Sequence, residues 1–177
     1  MSIAAKKVLV PLTVLLAAGA LAVGSGATFS SETSNTISTV TSGTLLHTNS
    51  KNGAEIFNLG NVKPGDTLNG TVTITNTGSL PATFSLTETS STNGFSGEYL
   101  KLAIKNITTG VTVYDGTFGG LVDGSKTSLG DVAAGAANVY TFTVTLAQDA
   151  PNSEQGKTAT AAYQWSSVQL AGSVTNQ

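Results

Sequence analysis

Tyr140-Thr141-Phe142-Thr143-Val144-Thr145-Leu146 sets an apolar side chain at every second position, with threonine between. Successive side chains of a strand point to opposite faces, so this run reads as a strand with one buried and one wet face. The pattern recurs outward from it. Leu68, Val72 and Ile74 alternate with Asn69, Thr71, Thr73 and Thr75. Ala82, Phe84 and Leu86 alternate with Thr83, Ser85 and Thr87. Leu100, Leu102 and Ile104 alternate with Lys101, Ala103 and Lys105, and Val111 and Val113 with Thr112 and Tyr114. No window holds a sustained helical stripe.

Turn chemistry separates these runs. Lys63-Pro64-Gly65-Asp66 reads as a type II turn, in which Pro64 presets φ and Gly65 accepts a positive one. Asn76-Thr77-Gly78-Ser79, Asn93-Gly94, Asp115-Gly116, Gly119-Gly120 and Asp123-Gly124 mark further reversals. Short alternating strands with regular turns predict an all-β fold: a two-sheet antiparallel sandwich, jelly-roll-like, preceded by a signal-peptide helix. The expected core is Val72, Ile74, Phe84, Leu86, Phe142, Val144 and Trp165, the last in the interior or capping one end of it.

Three finer expectations follow. Pro64-Gly65 leading into Thr71–Thr75 resembles Ala134-Gly135 leading into Thr141–Thr145, which predicts equivalent places in two sheets. In the last strand Ala159, Ala161, Tyr163 and Trp165 share one parity while Val168 and Leu170 take the other, which predicts a bulge near Ser166-Ser167. Lys101 and Lys105 are placed to blunt a sheet edge.

Composition agrees with the pattern. Of 177 residues, 10% are charged, 6% are aromatic and 20 are glycine, a mixture poor in the usual helix formers. The formal net charge of -2 excludes the basic footprint of a nucleic-acid binder. Cysteine is absent, so disulfides and thiolate metal sites are excluded.

The first residues carry a different signal. Lys6 and Lys7 precede an apolar run from Val8 to Val23, and Gly24-Ser25-Gly26-Ala27 supplies the small residues a signal peptidase needs. The run is shorter than the roughly 20 residues that span a bilayer. Cleavage is therefore expected between Ala27 and Thr28, leaving no stable membrane span. The chain divides into a cleavable signal peptide (1–27), an N-terminal segment (28–41) and a β-sandwich domain (42–177). Beyond residue 27 stand six lysines and ten acidic residues, a mildly acidic balance suited to a secreted protein.

Residues 28–41 are β-prone but carry only Phe29, Ile37 and Val40 as sizeable apolar side chains. Alone they bury too little surface to offset ordering. Two readings stand: a flexible terminus, or a donor strand that pairs with a sheet edge of a neighbouring molecule.

Several motifs together carry a family resemblance. Small residues ending at Ala27 lead through Phe29 and a Ser/Thr-rich stretch to Ser42-Gly43-Thr44-Leu45. Asn58-Leu59-Gly60-Asn61-Val62-Lys63-Pro64-Gly65-Asp66, Thr73-Ile74-Thr75-Asn76-Thr77-Gly78-Ser79-Leu80 and Ala162-Tyr163-Gln164-Trp165 follow in order. The chain resembles the TasA/camelysin family of exported proteins processed by a SipW-type signal peptidase. The resemblance implies a jelly roll and self-association into fibres of a biofilm matrix or cell surface. In family fibres the processed N-terminal segment inserts into the next subunit, and residues 28–41 match it by position. This chain is shorter and less charged than the best-known members, and lacks a long charged C-terminal tail.

Camelysin-like members are described as metallo-endopeptidases, so the resemblance also implies a peptidase as an alternative. A zincin helix needs two histidines one turn apart with a glutamate between them, and this chain has one histidine, His47. His47 is expected to be a solvated side chain on an early strand. No nucleophile elbow or phosphate loop appears. The expectation is a non-enzymic extracellular fibre subunit without cofactor. The alternatives are a monomeric surface-adhesion module and a camelysin-like secreted metalloprotease.

Overall fold

The computed structural model describes residues 40–177 apart from 59, 175 and 177. The chain divides into residues 1–40 and a compact unit from Thr41 to Gln177, and the fold described is that of the second. The signal-peptide helix, Ala27, Thr28, Phe29 and Ile37 lie outside the described residues. Val40, the first described residue, is exposed.

The described residues of this unit form eight strands: β1 (His47–Asn49), β2 (Thr67–Asn76), β3 (Ala82–Asn93), β4 (Leu100–Asn106), β5 (Thr112–Thr117), β6 (Lys126–Val132), β7 (Ala137–Leu146) and β8 (Ala159–Gln169). They form a five-stranded sheet ordered β1-β2-β7-β4-β5 and a three-stranded sheet ordered β6-β3-β8. All pairings are antiparallel. The protein is the expected all-β, two-sheet antiparallel sandwich. Among the described strands, only β1–β2 and β4–β5 follow one another within a sheet. The other connections hop between layers, as in Greek-key and jelly-roll sandwiches.

The core follows from the alternation. Val72 and Ile74 of β2, Phe84 and Leu86 of β3, Leu102 and Ile104 of β4, Tyr140 and Phe142 of β7 and Trp165 of β8 are buried together. Trp165 lies against Tyr140 with ring centroids 4.9 Å apart and against Phe142 at 6.5 Å. The threonines between these positions point outward. Thr67 and Thr145 share a cross-strand hydroxyl contact of 3.2 Å, and Thr143 donates to Asn69 at 2.7 Å. Val144 is only half-buried, because it faces an opening between the sheets rather than their centre.

Four finer expectations are corrected. The two turn-and-threonine units are neighbours in one sheet, with Thr71 opposite Thr141 and Val72 opposite Tyr140. Each turn caps the far end of the other strand. Gly65 N–H donates to the Leu146 carbonyl and Gly135 N–H to that of Asn76, both at 2.9 Å. No bulge falls at Ser166-Ser167, where pairing runs unbroken from Ala82↔Gln169 to Glu88↔Tyr163. Ser167 keeps the inward parity of Trp165, and Val168 simply stands on the wet face; the irregularity lies across the strand pair, between Glu88 and Ser90. Lys101 and Lys105 blunt no edge, since β4 is interior, paired with both β5 and β7. His47 is half-buried on β1, with its ring edge-on to Phe84 at 5.5 Å and its Nδ1 2.9 Å from the Ser167 hydroxyl.

Candidate functional site

The sandwich closes well on one side and poorly on the other. The three-stranded sheet is two strands narrower than its partner. Its outer strand β8 runs for 11 residues with no described strand on its free side. Across the gap, β1 covers only the last residues of β2, pairing His47–Asn49 with Ile74–Asn76. Beyond that pairing, Ser50 donates its N–H to the Thr73 carbonyl at 3.0 Å and accepts from the Thr73 N–H at 2.8 Å. From Thr67 to Val72, β2 has no described strand on its outer side. Two strand edges therefore flank one opening, each presenting N–H and C=O groups of the kind that template further pairing.

Between them lies a groove of about 1080 Å³. Leu68, Leu100, Val144 and Leu146 of the five-stranded sheet line one side of it, and Ala159, Ala161, Tyr163 and Trp165 of β8 line the other. The β1–β2 connection crosses the opening and contributes Ile56 and Phe57, both half-buried against the core. Phe57 sits 6.1 Å from the Phe118 ring and 6.3 Å from that of Phe142.

One end of the groove is latched. Glu154, in the 3₁₀ turn Asn152–Glu154, is buried. It accepts from the Ser96 backbone N–H at 2.9 Å and pairs with Lys157 at 3.0 Å. Lys157 also donates to the Ser96 hydroxyl at 2.8 Å. The Ser96 N–H first, and then Lys157, hold the Glu154 carboxyl below its usual range. The latch ties the β7–β8 connection to the β3–β4 connection.

A second carboxylate lies inside. Glu88 is 1% exposed and stands opposite Tyr163 across β3 and β8. Burial pushes its carboxyl up from 4.5, and Asp123 pushes the same way. The Tyr163 and Ser91 hydroxyls offset part of this, but neither Glu88 oxygen nor the Tyr163 hydroxyl has a partner at hydrogen-bond geometry. Tyr163 is itself raised, chiefly by burial and then by Glu88.

Of the residues singled out from the sequence, Val144 and Trp165 line the groove. Phe142 touches it indirectly through Phe57. Pro64, Gly65 and Asp66 form the turn that feeds β2 beside it, where Gly65 has φ of 90° and the Asp66 carboxylate accepts from the Lys63 N–H at 3.1 Å. Val72, Ile74, Phe84 and Leu86 sit deeper. Sequence reasoning missed Ile56-Phe57, an isolated apolar pair in a polar stretch, and Glu88. The signal for Glu88 was present, since it continues the inward parity of Ala82, Phe84 and Leu86.

Catalytic zinc takes three protein ligands. Among the described residues no three His, Cys, Asp or Glu side chains converge to hold a metal. His47 has its Nδ1 at hydrogen-bond distance from Ser167, and Glu88 is enclosed. No curated protein matches the chain. Residues 5–105, from the apolar leader to the penultimate residue of β4, match the family model described as camelysin metallo-endopeptidase. That match spans more than half of the sequence, and the chain belongs to the camelysin family, of which TasA is also a member.

Proposed function

We propose that this chain is an extracellular structural subunit of a biofilm matrix or cell-surface fibre, assembled by strand addition through residues 28–41. The observation that carries the reading is the length of β8 with no described strand beside it, next to a half-buried apolar strip at Leu68 and Val144. A further strand laid along β8 would extend the narrower sheet, satisfy edge N–H and C=O groups, and cover that strip. Residues 28–41 have the matching chemistry. They are β-prone, uncharged except for Glu32, and place Phe29 and Ile37 at one parity for pockets along a groove. Secretion follows export and cleavage at Ala27–Thr28 by a SipW-type signal peptidase. Self-association is then the principal interaction, with neither nucleic acid nor membrane as partner.

Peptidase activity is not part of this proposal, although the family description names one. The described donors assemble no metal-binding cluster, whereas the groove sets apolar side chains such as Leu68, Val144 and Trp165 among polar ones and is bordered by backbone edges.

The test is negative-stain microscopy and light scattering of the processed chain with and without residues 28–41. The processed chain is expected to form filaments with rising concentration, and the truncated one to stay monomeric. A processed chain that stays monomeric at every concentration would overturn the fibre reading in favour of a surface module. Metal-dependent casein cleavage by the purified processed protein, lost with chelator, would overturn the non-enzymic one.

A further inference from the structure

We propose that the connection spanning residues 50–62 is a plug: it holds the groove closed in the free subunit and must swing out before a second copy's residues 28–41 can enter. This inference rests on the strand-addition reading and adds a regulatory step to it.

The way the strap is held supports the proposal. Its last backbone bond on one side runs from the Ala54 N–H to the Lys51 carbonyl at 2.9 Å, and the next lie past its other end, where the Gly65 N–H donates to the Leu146 carbonyl at 2.9 Å and the Asp66 N–H to the Lys63 carbonyl at 3.0 Å. Between them, among the described residues, no backbone N–H or C=O of the strap bonds to another backbone group. Attachment rests on Ile56 and Phe57, while the flanking described residues are exposed. Beyond Ser50, the described residues of the strap thus supply apolar cover without pairing the edges of β8 and β2. An incoming strand supplies both, so exchange is favourable once the two anchors let go.

The seat and the hinges are also identifiable. Gly70 lies in β2 opposite Phe142, and a Cβ there would run into the Ile56 carbonyl. Its missing side chain lets the strap lie flat on the sheet. Gly53 has φ of 71° near one end and Asn61 φ of 59° near the other; Asn61 is the one non-glycine residue with positive φ among the described residues. Such positions absorb the backbone rotation of a hinged segment.

The test uses the processed chain, 28–177, carrying Phe57→Ala, which removes an anchor, or Gly70→Ala, which crowds the seat. Filament lag is read by light scattering. Hydrogen exchange along Ala159–Gln169 is read in the monomer, with and without a synthetic peptide of residues 28–41. Both variants are expected to shorten the lag by roughly tenfold. They are also expected to speed exchange along β8, and to let the peptide slow it again more strongly than in the parent. Filaments that form at the parent's rate, although exchange shows the strap released, overturn the plug and leave strand addition standing. If the parent and both variants form no filaments, the fibre reading fails and the peptide decides. Protection gained chiefly in the variants supports the plug, and equal or absent protection overturns it. Should one variant fail to fold, the other carries the same measurements.

Discussion

Glu88 and Tyr163 face each other as cross-strand partners of β3 and β8, and neither side chain's oxygen finds a hydrogen-bond partner. A buried carboxylate without partners favours its protonated form, so the folded chain holds this proton more tightly than the unfolded chain. The sign follows directly. The contribution to stability is fully present below the ordinary value of 4.5 and is lost as pH rises through the raised folded value. Glu88→Gln, which cannot ionise, is expected to flatten that fall. Urea unfolding of both proteins between pH 4 and pH 8 checks it, and parallel pH profiles would show that Glu88 does not ionise against a penalty.

Glu154 runs the other way. Its carboxyl is held low by the Ser96 N–H and then by Lys157, so its contribution is present above the unfolded value and lost as pH falls through the folded one. Glu154→Gln is expected to lower the melting temperature at pH 7 and to have little effect in strong acid. Thermal melts at the two conditions decide it. The two carboxylates therefore set opposing slopes, and the double variant is expected to show the weakest pH dependence of the four proteins.

Asn76 is fully buried at the end of β2, and its amide ties three segments together. It donates to the Leu80 carbonyl at 2.9 Å and the Val132 carbonyl at 3.0 Å, and accepts from the Gly78 N–H at 3.1 Å. Asn76→Ala strands these groups in the interior and is expected to cost about 2–4 kcal/mol. Chemical denaturation measures the loss.

The paired turns give a graded test. Gly135 has φ of 75° with open space around its missing Cβ, so Gly135→Ala is expected to cost about 1–2 kcal/mol from backbone strain alone. Gly65 has φ of 90°, and a Cβ there would also meet the Gln148 side chain. The end of that flexible side chain can swing aside, so Gly65→Ala is expected to cost only slightly more than Gly135→Ala, and a far larger loss measured by urea unfolding would refute the easy displacement of Gln148.

Most strand faces were legible because burial alternates locally, residue by residue. Tyr140 to Leu146 needed no knowledge of their partners to declare which side is dry. β6 was invisible for a related reason. Its pairing with β3 passes from Phe84↔Gly130 to Ser85↔Ser128, so Leu129 is skipped and the period of two is broken. A bulge erases the signal on which a period is read. The groove residues were harder still, since Ile56 and Phe57 belong to no periodic run.

The sequence by itself determined that the chain past its leader builds β structure, which side chains of most strands turn inward, and where glycine had to permit a turn. Those properties depend on neighbours a few residues away. Only the tertiary structure decided that β2 lies beside β7, that β4 is interior, that Glu88 is sealed opposite Tyr163, and that no described strand lies beyond β8. Each of these is a pairing between segments far apart in the chain, chosen by packing of whole faces rather than by local pattern, because threonine-alternating strands present nearly interchangeable edges to one another.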